Sequence, residues 1–404
     1  MLFRSVFLSV AFWGVFAAGL RMSVIPPESC GAHSEQAIGR AATEAADWMV
    51  RNQRPDGRYV YLYYPETDTT AAEYNDVRHA GVTMALYQAG GRLSSREAIE
   101  AADRAPAWMQ DNLEEHDGWT ALAPDGVRAK LGSSALMLAG LAERRLATFD
   151  PQYDELMLGL ADFLASMQRP DGGFHIAWDF GKDAPDITGT SAYYPGEALW
   201  ALALAHEAFP DEGFDVNARR ALEFITERRD EVEDIEFPPL ADQWAAYGIG
   251  EMIEWGLTDQ QIDYAGRLAA RFGLLVRTEA QREGSWYGQA LRGPRARASG
   301  VGTWAEGLAA LWRASTQDER LADVRPAIEK RLECVAGILA RRQVNAKEAA
   351  DYPRPGLAQG AWFGRGETRM DDQQHAFSGL LYTLDMLNDN PAREPTLPFP
   401  RPLQ

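Results

Sequence analysis

The chain has 404 residues, 46% of them hydrophobic, and a formal net charge of −19. That length supports a large buried core, and that charge excludes nucleic acid as a partner, because phosphate binding needs a basic surface. The two cysteines, Cys30 and Cys334, lack the spacing of a structural zinc site and leave open one long-range disulfide.

The first element is an apolar run from Val6 to Leu20, preceded by Arg4 and followed by Arg21 and a Pro26-Pro27 break. This is the layout of a secretory signal or a short signal anchor. Fifteen apolar residues are few for a membrane span, which favours the signal peptide. Residues 1–30 are therefore read as a signal segment or anchor plus linker, with N-terminal membrane association and an exported or periplasmic body as the expectation. From residue 35 onward two kinds of helix alternate. Ile38–Asn52, Ser95–Asn112, Asp154–Gln168, Asn217–Arg229, Asp259–Arg277 and Arg325–Gln343 are amphipathic. Between them lie Arg78–Gln88, Leu131–Arg145, Tyr194–Phe209, Ala241–Trp255, Thr303–Arg313 and Asp372–Leu387, which are apolar on most sides. No convincing strand run and no linker of disordered composition interrupts the series. The body is one domain, 31–390, followed by a Pro-rich tail, 391–404.

Helices apolar all round are buried, and amphipathic ones flank them. An inner ring of six helices inside an outer ring of six meets both patterns, so the expected fold is an all-α (α/α)6 toroid of six hairpins. Connections from outer to inner helices are long (53–77, 113–130, 169–193, 278–302 and 344–371) and the return connections are short. All long loops then emerge on one rim, at the N-termini of the inner helices, where function is expected. A closed ring also makes the first and last inner helices neighbours. Each opens with Asp-x-x-His-Ala, at 76–80 and 372–376, so the two pairs are expected to meet.

Several long loops open with one phrase. Gln53-Arg54-Pro55-Asp56-Gly57-Arg58-Tyr59 matches Gln168-Arg169-Pro170-Asp171-Gly172-Gly173-Phe174, with looser versions at Gln281–Tyr287 and Asp117-Gly118-Trp119. Pro-Asp-Gly is a turn signal, and the aromatic packs the turn onto the helices. Such repeats, over about 35–390, resemble those of the α/α-toroid proteins: six-hairpin glycosidases, sugar epimerases of the same barrel, and the terpene cyclase and prenyltransferase group. They specify architecture rather than chemistry. The terpene branch lacks its full acidic motif, since Arg369-Met370-Asp371-Asp372 has no first Asp, and the prenyltransferase zinc set is missing. The carbohydrate branch fits best, with a rim that holds Tyr61, Trp119, Trp178, Tyr193, Tyr194, Trp286, Trp304 and Trp362.

The inner helices begin with polar sets. Asp76, Asp242, Glu306 and Asp372 are candidates for the paired carboxyls of glycoside hydrolysis, which needs one acid and one base or nucleophile. His79 and His375, each with its Asp, form a candidate acid–base pair. The resemblance to N-acylglucosamine-type epimerases implies two proton-exchanging histidines, and that to uronyl C5-epimerases implies a Tyr/Glu site matched by Tyr193, Tyr194 and Glu197. Arg78, Lys130 and Arg369 would bind an acidic group on the substrate, with Tyr193, Tyr194, Glu197, Gln243, Trp304 and Gln374 as further contacts. Arg78 and Arg369 weigh against a divalent metal, and no cofactor is expected. The leading expectation is an exported enzyme that hydrolyses an acidic poly- or oligosaccharide. Sugar epimerisation, a non-catalytic glycan-binding or envelope protein, and a terpene cyclase-like protein are the alternatives.

Overall fold

The computed structural model describes residues 2–235 and 240–391; the Pro-rich tail lies outside the described residues beyond 391. An apolar helix, α1 (Leu2–Val24), precedes the body. The outer helices are α2 (Glu35–Arg51), α4 (Arg96–Gln110), α6 (Asp154–Ser166), α8 (Phe214–Glu223), α11 (Asp259–Glu283) and α14 (Arg325–Arg342). A π turn, Phe224–Arg228, carries α8 into a short α9 (Arg229–Val232). The inner helices are α3 (Asp76–Arg92), α5 (Leu131–Thr148), α7 (Tyr194–Ala208), α10 (Gln243–Met252), α13 (Ala298–Gln317) and α17 (Met370–Leu387). Single-turn helices α12 (Gly288–Arg292), α15 (Ala346–Ala349) and α16 (Pro355–Ala358) sit in the rim loops. The expected (α/α)6 toroid is therefore the observed fold.

The inner ring runs α3–α5–α7–α10–α13–α17 and closes back on α3. Small residues set these close approaches. Gly302 of α13 faces the His375 backbone, where a Cβ would lie 2.3 Å from the carbonyl carbon, and Gly379 faces Gly302 and Ala305 in return. At the closing seam, Arg78 of α3 pairs with Asp371 of α17 at 3.4 Å. Deeper along the same seam, Gln88 donates to the Tyr382 hydroxyl at 2.7 Å and accepts from Ser378 at 3.1 Å. The axis below the rim is filled by Trp200, Trp244, Tyr247 and Tyr382, with Trp200 stacked on Tyr247 at 4.7 Å.

The repeated loop phrase has a physical cause. Gln53 donates to Gly57 O and to Ala101 O of the next outer helix, and Gln168 does the same to Gly172 O and Asn217 O. Gly57 and Gly172 have φ of 84° and 92°, and a Cβ on either would strike a carbonyl oxygen of the next outer helix, Arg104 or Arg220. Tyr59 and Phe174 are buried beneath the turns. A third copy is split: Gln343 donates to Ala41 O and Gly360 O, Gly360 has φ 82°, and Trp362 is the buried aromatic. The 281–287 phrase does not repeat the turn, because Gln281 still belongs to α11.

Strands were not expected, yet eight short ones occur among the described residues. They are β1 (Leu62–Tyr64), β2 (Thr69–Thr70), β3 (Leu113–His116), β4 (Trp119–Leu122), β5 (Arg128–Lys130), β6 (Ala177–Asp179), β7 (Ala184–Pro185) and β8 (Thr368–Arg369). They form the small sheets β2-β1-β8, β3-β4 and β5-β6-β7. Two to four residues are too few for alternation to register in a sequence. The β1–β8 pairing joins the first and last long loops, so the ring closes on the rim as well as between helices. Cys30 and Cys334 form a disulfide that ties the linker after α1 to α14.

Candidate active site

The inner-helix N-termini bring most of the expected polar residues to one rim, but not in the expected pairs. His79 and His375 lie on adjacent helices and do not face each other. His79 is fully buried and turned outward, with Nδ1 2.6 Å from the Tyr74 hydroxyl and its ring 4.4 Å from that of Trp108 in α4. Burial holds its pKa down to about 3. It is a neutral histidine between the two helix layers, so the proposed pairing of the Asp-x-x-His motifs does not form.

Asp242 and Asp372 are also occupied. Asp242 is buried, caps α10 by accepting from Ala245 N at 3.0 Å, and accepts from Arg229 Nη1 at 2.6 Å. Arg229 additionally donates to Glu233 and to the carbonyls of Ser191 and Ala192, so the pair fastens the α9 turn to the rim loop before α7. Asp372, 1% exposed, accepts from Arg297 Nη2 at 2.6 Å, from Ser299 N and Oγ, and from Arg369 N. Arg297 also donates to Glu367 and Gly364 O. Both aspartates are thus held in ion pairs with arginine. Their partners Arg229 and Arg297, absent from the sequence-derived site, sit at the end of an outer helix and in a long loop, where no periodicity marks them.

Two further groups stand among the inner helices. His375 of α17 holds Glu306 of α13, with Nδ1 3.0 Å from Oε2 and 3.2 Å from Oε1. Glu306 is wholly buried, and burial raises its pKa while His375 offsets part of the rise. Burial would lower the His375 pKa, but Glu306, with Asp371 and Asp372 behind it, reverses the sign and raises it. An ionised carboxylate only accepts, so Nδ1 carries the shared proton and Nε2 is the ring nitrogen left for a substrate. Gln374 lies 3.3 Å from the same Nδ1, and the Trp244 ring is 5.8 Å from the imidazole.

The second group is Glu197 of α7. It is 4% exposed, its Oε2 is buried without a hydrogen-bond partner, and it meets no cation among the described residues. Burial, with Asp242 nearby, pushes its pKa up to about 8, so it is protonated at neutral pH. Gly132 of α5 makes room for it, since a Cβ there would lie 2.3 Å from Oε2 and 2.5 Å from the Tyr194 ring. Tyr194 feels both Glu197 and Asp76. Asp76 accepts from Lys130 Nζ at 2.6 Å through Oδ1, while its Oδ2 has no partner.

The remaining candidates frame these groups. Arg369 pairs with Asp371 at 3.2 Å, and the Arg78 guanidinium donates to the Tyr61 hydroxyl. Gln374 packs against Gly81 at the α3–α17 seam. Gln243 is buried at the start of α10, its Oε1 unpartnered; Trp304 is half-buried on α13; Tyr193 is exposed at the start of α7. No group of metal-ligating side chains occurs among the described residues. A cavity of about 1240 Å³ lies on the outer wall among α2, α14 and the end of α17, away from these groups.

A ring of twelve helices with its polar groups gathered at the inner N-termini defines the class: an (α/α)6 toroid. Comparison with known proteins finds no matching family model and no matching curated protein. Solved structures do match. The cellobiose 2-epimerase from Spirochaeta thermophila DSM 6192 is 14% identical with a TM-score of 0.55, over 87% of this chain and 98% of that one. An unsaturated glucuronyl hydrolase specific for heparin is 12% identical with a TM-score of 0.60, over 88% and 99%. A D-mannose isomerase is 9% identical with a TM-score of 0.56, over 88% and 98%. At such identities the likeness establishes the shared toroid, and the chemistry must come from the site.

Proposed function

We propose that this protein is a sugar-transforming enzyme that moves a proton at a carbon next to a sugar carbonyl, as an epimerase or isomerase. The observation that carries this reading is the Glu306–His375 dyad, an imidazole fixed by a buried carboxylate with Nε2 free. In the proposed step Nε2 removes the carbon-bound proton, and the carbonyl oxygen takes a proton from neutral Glu197, giving an enediol. Glu197 stands on α7, three places around the ring from α17, so a bound sugar is flanked by the two groups. His375 returning its proton to the adjacent carbon, while the Glu197 carboxylate takes the hydroxyl proton of the carbon first deprotonated, completes isomerisation. A proton taken from water on the opposite flank, with Glu197 recovering the enediol proton and His375 giving its own to the hydroxide left behind, inverts the carbon.

The substrate we favour is a neutral sugar. Arg78, Lys130, Arg297 and Arg369 each already face a carboxylate, which leaves little unpaired positive charge to hold an acidic one. The names of two fold relatives, a cellobiose epimerase and a mannose isomerase, agree with this class. Glycoside hydrolysis is the second reading, and one observation favours it: protonated Glu197 and Asp76, whose Oδ2 is open, both lie near Tyr194 and could serve as acid and base.

The test is incubation of neutral mono- and disaccharides with the protein in D2O, followed by mass spectrometry and NMR. Epimerisation or isomerisation through solvent-exchanged protons leaves deuterium on carbon, and His375→Asn lowers the rate by about 10²–10⁴-fold. New reducing ends without carbon-bound deuterium would replace this reading with hydrolysis. No conversion of any sugar would remove the enzyme assignment.

A further inference from the structure

The linker between α1 and the toroid is built into the wall. The Cys30–Cys334 disulfide fastens it to α14, Glu28 pairs with Arg277 and Arg331, and Ser29 N donates to Ala280 O. Pro27 presses on Gly284, where a Cβ would lie 1.9 Å from Pro27 O, and Arg292 Nη2 donates to Val24 O at 2.7 Å. The last turn of α1 is therefore held beside the 284–293 loop. That loop belongs to the rim: it leads into α13, which carries Glu306.

Helix α1 itself is a surface that water does not suit. Phe7, Leu8, Val10, Phe12, Trp13 and Val15 are all exposed, and none of its apolar window is buried. Its 23 residues reach about 34 Å at 1.5 Å per residue, the thickness of a bilayer core. Arg4 and Arg21 near its ends suit headgroups, to which long side chains snorkel. Beside its exit, Trp286 is 93% exposed and Leu291 43% exposed, next to Arg292 and Arg295. Exposed tryptophan with apolar and basic neighbours is the composition of an interfacial contact.

We infer that α1 is retained as a membrane anchor and that the 284–293 loop rests on the same bilayer, placing the mouth of the toroid at the membrane surface. The occupant of this face is a phospholipid surface. The chain's charge of −19 repels anionic headgroups elsewhere, while Arg21 in the last turn of α1 and Arg292, which donates to Val24 O, stand where α1 leaves. The disulfide accords with a body on the oxidising side of that membrane. The docking stands independently of the proposed chemistry. Its consequence for substrate, a sugar unit on a membrane-held glycan, rests on that reading.

The test is photocrosslinking of the full chain in vesicles of phosphatidylethanolamine and phosphatidylglycerol that contain a diazirine phospholipid, with adducts mapped by mass spectrometry. Adducts are expected on α1 and within 284–293, and the exposed substitutions Trp286→Asp and Leu291→Asp together should cut the loop adducts several-fold while α1 stays labelled. Adducts on α1 alone would overturn the docking, as would adducts on the opposite rim, loop-to-loop crosslinks between two chains, or recovery of a chain that begins after residue 24. None of these readouts depends on activity, so failure of the docking and failure of the sugar chemistry are told apart.

Discussion

Glu197→Gln tests the central electrostatic feature of the site without requiring a substrate. The wild-type carboxyl is 4% exposed, unpaired through Oε2, and carries a pKa near 8 against an ordinary value of 4.5. Because the folded value lies above the unfolded one, the folded state binds the proton more tightly. The stability this group contributes is complete below pH 4.5 and is lost as pH rises towards 8. Between those values the loss is about 1.4 kcal/mol per pH unit, hence about 3 kcal/mol from pH 5 to 7. Glutamine keeps the shape and removes the ionisation, so the variant should not show this loss. With an unfolding entropy of about 2 cal/mol/K per residue, the wild type should lose about 3 °C in Tm relative to the variant over that interval. Thermal and urea unfolding at pH 5, 6, 7 and 8 measure the difference directly. Parallel pH profiles for the two proteins would show that Glu197 is not a buried, protonated acid, and its role in either catalytic reading would go with it.

Glu306→Gln removes the group that lifts the His375 pKa, so the imidazole should titrate at lower pH by 15N NMR and turnover should fall about 10²-fold; an unmoved titration would break the dyad. Arg229→Met leaves Asp242 buried without its cation and should cost about 3–5 kcal/mol in urea unfolding, most of which Arg229→Met/Asp242→Asn should recover. Absence of recovery would mean the pair is not what holds α9 to the rim. His79, held neutral with its pKa near 3, adds stability above pH 6.5 that is lost as pH falls towards 3. His79→Gln should flatten that acid-side loss while leaving the pH profile of turnover unchanged, and a moved profile would return His79 to the site.

The architecture was legible because its causes are local and repeated. Twelve amphipathic or wholly apolar helices, long loops on one side, and the Gln-to-Gly turns at 53–57 and 168–172 each leave a periodic or phrase-like trace. The split third turn, from Gln343 to Gly360, was hidden by the residues inserted between its two anchors. The paired Asp-x-x-His motifs misled for a geometric reason. Three residues along a helix fix the angle between two side chains, but not the rotation of the helix about its own axis. In α17 that rotation sends His375 to Glu306 of α13; in α3 it sends His79 outward against Trp108.

Charge followed a similar course. A sequence displays carboxylates readily and their counter-ions poorly, since those come from elements folded in from elsewhere. Arg229 reaches Asp242 from the end of an outer helix, Arg297 reaches Asp372 from 75 residues away, and Lys130 reaches Asp76 from 54. Once these pairs are drawn, a row of equivalent acids separates into paired anions and Glu197, which meets no cation among the described residues. Glu197 entered the sequence reading as a substrate contact and through the resemblance to a Tyr/Glu-centred epimerase site, and nothing in Tyr-Pro-Gly-Glu foretells that Gly132 opens a place for it on the neighbouring helix. In a toroid whose rim charges are nearly all spoken for, the unpaired acid and the imidazole across the ring are the two groups on which the proposed proton transfer rests.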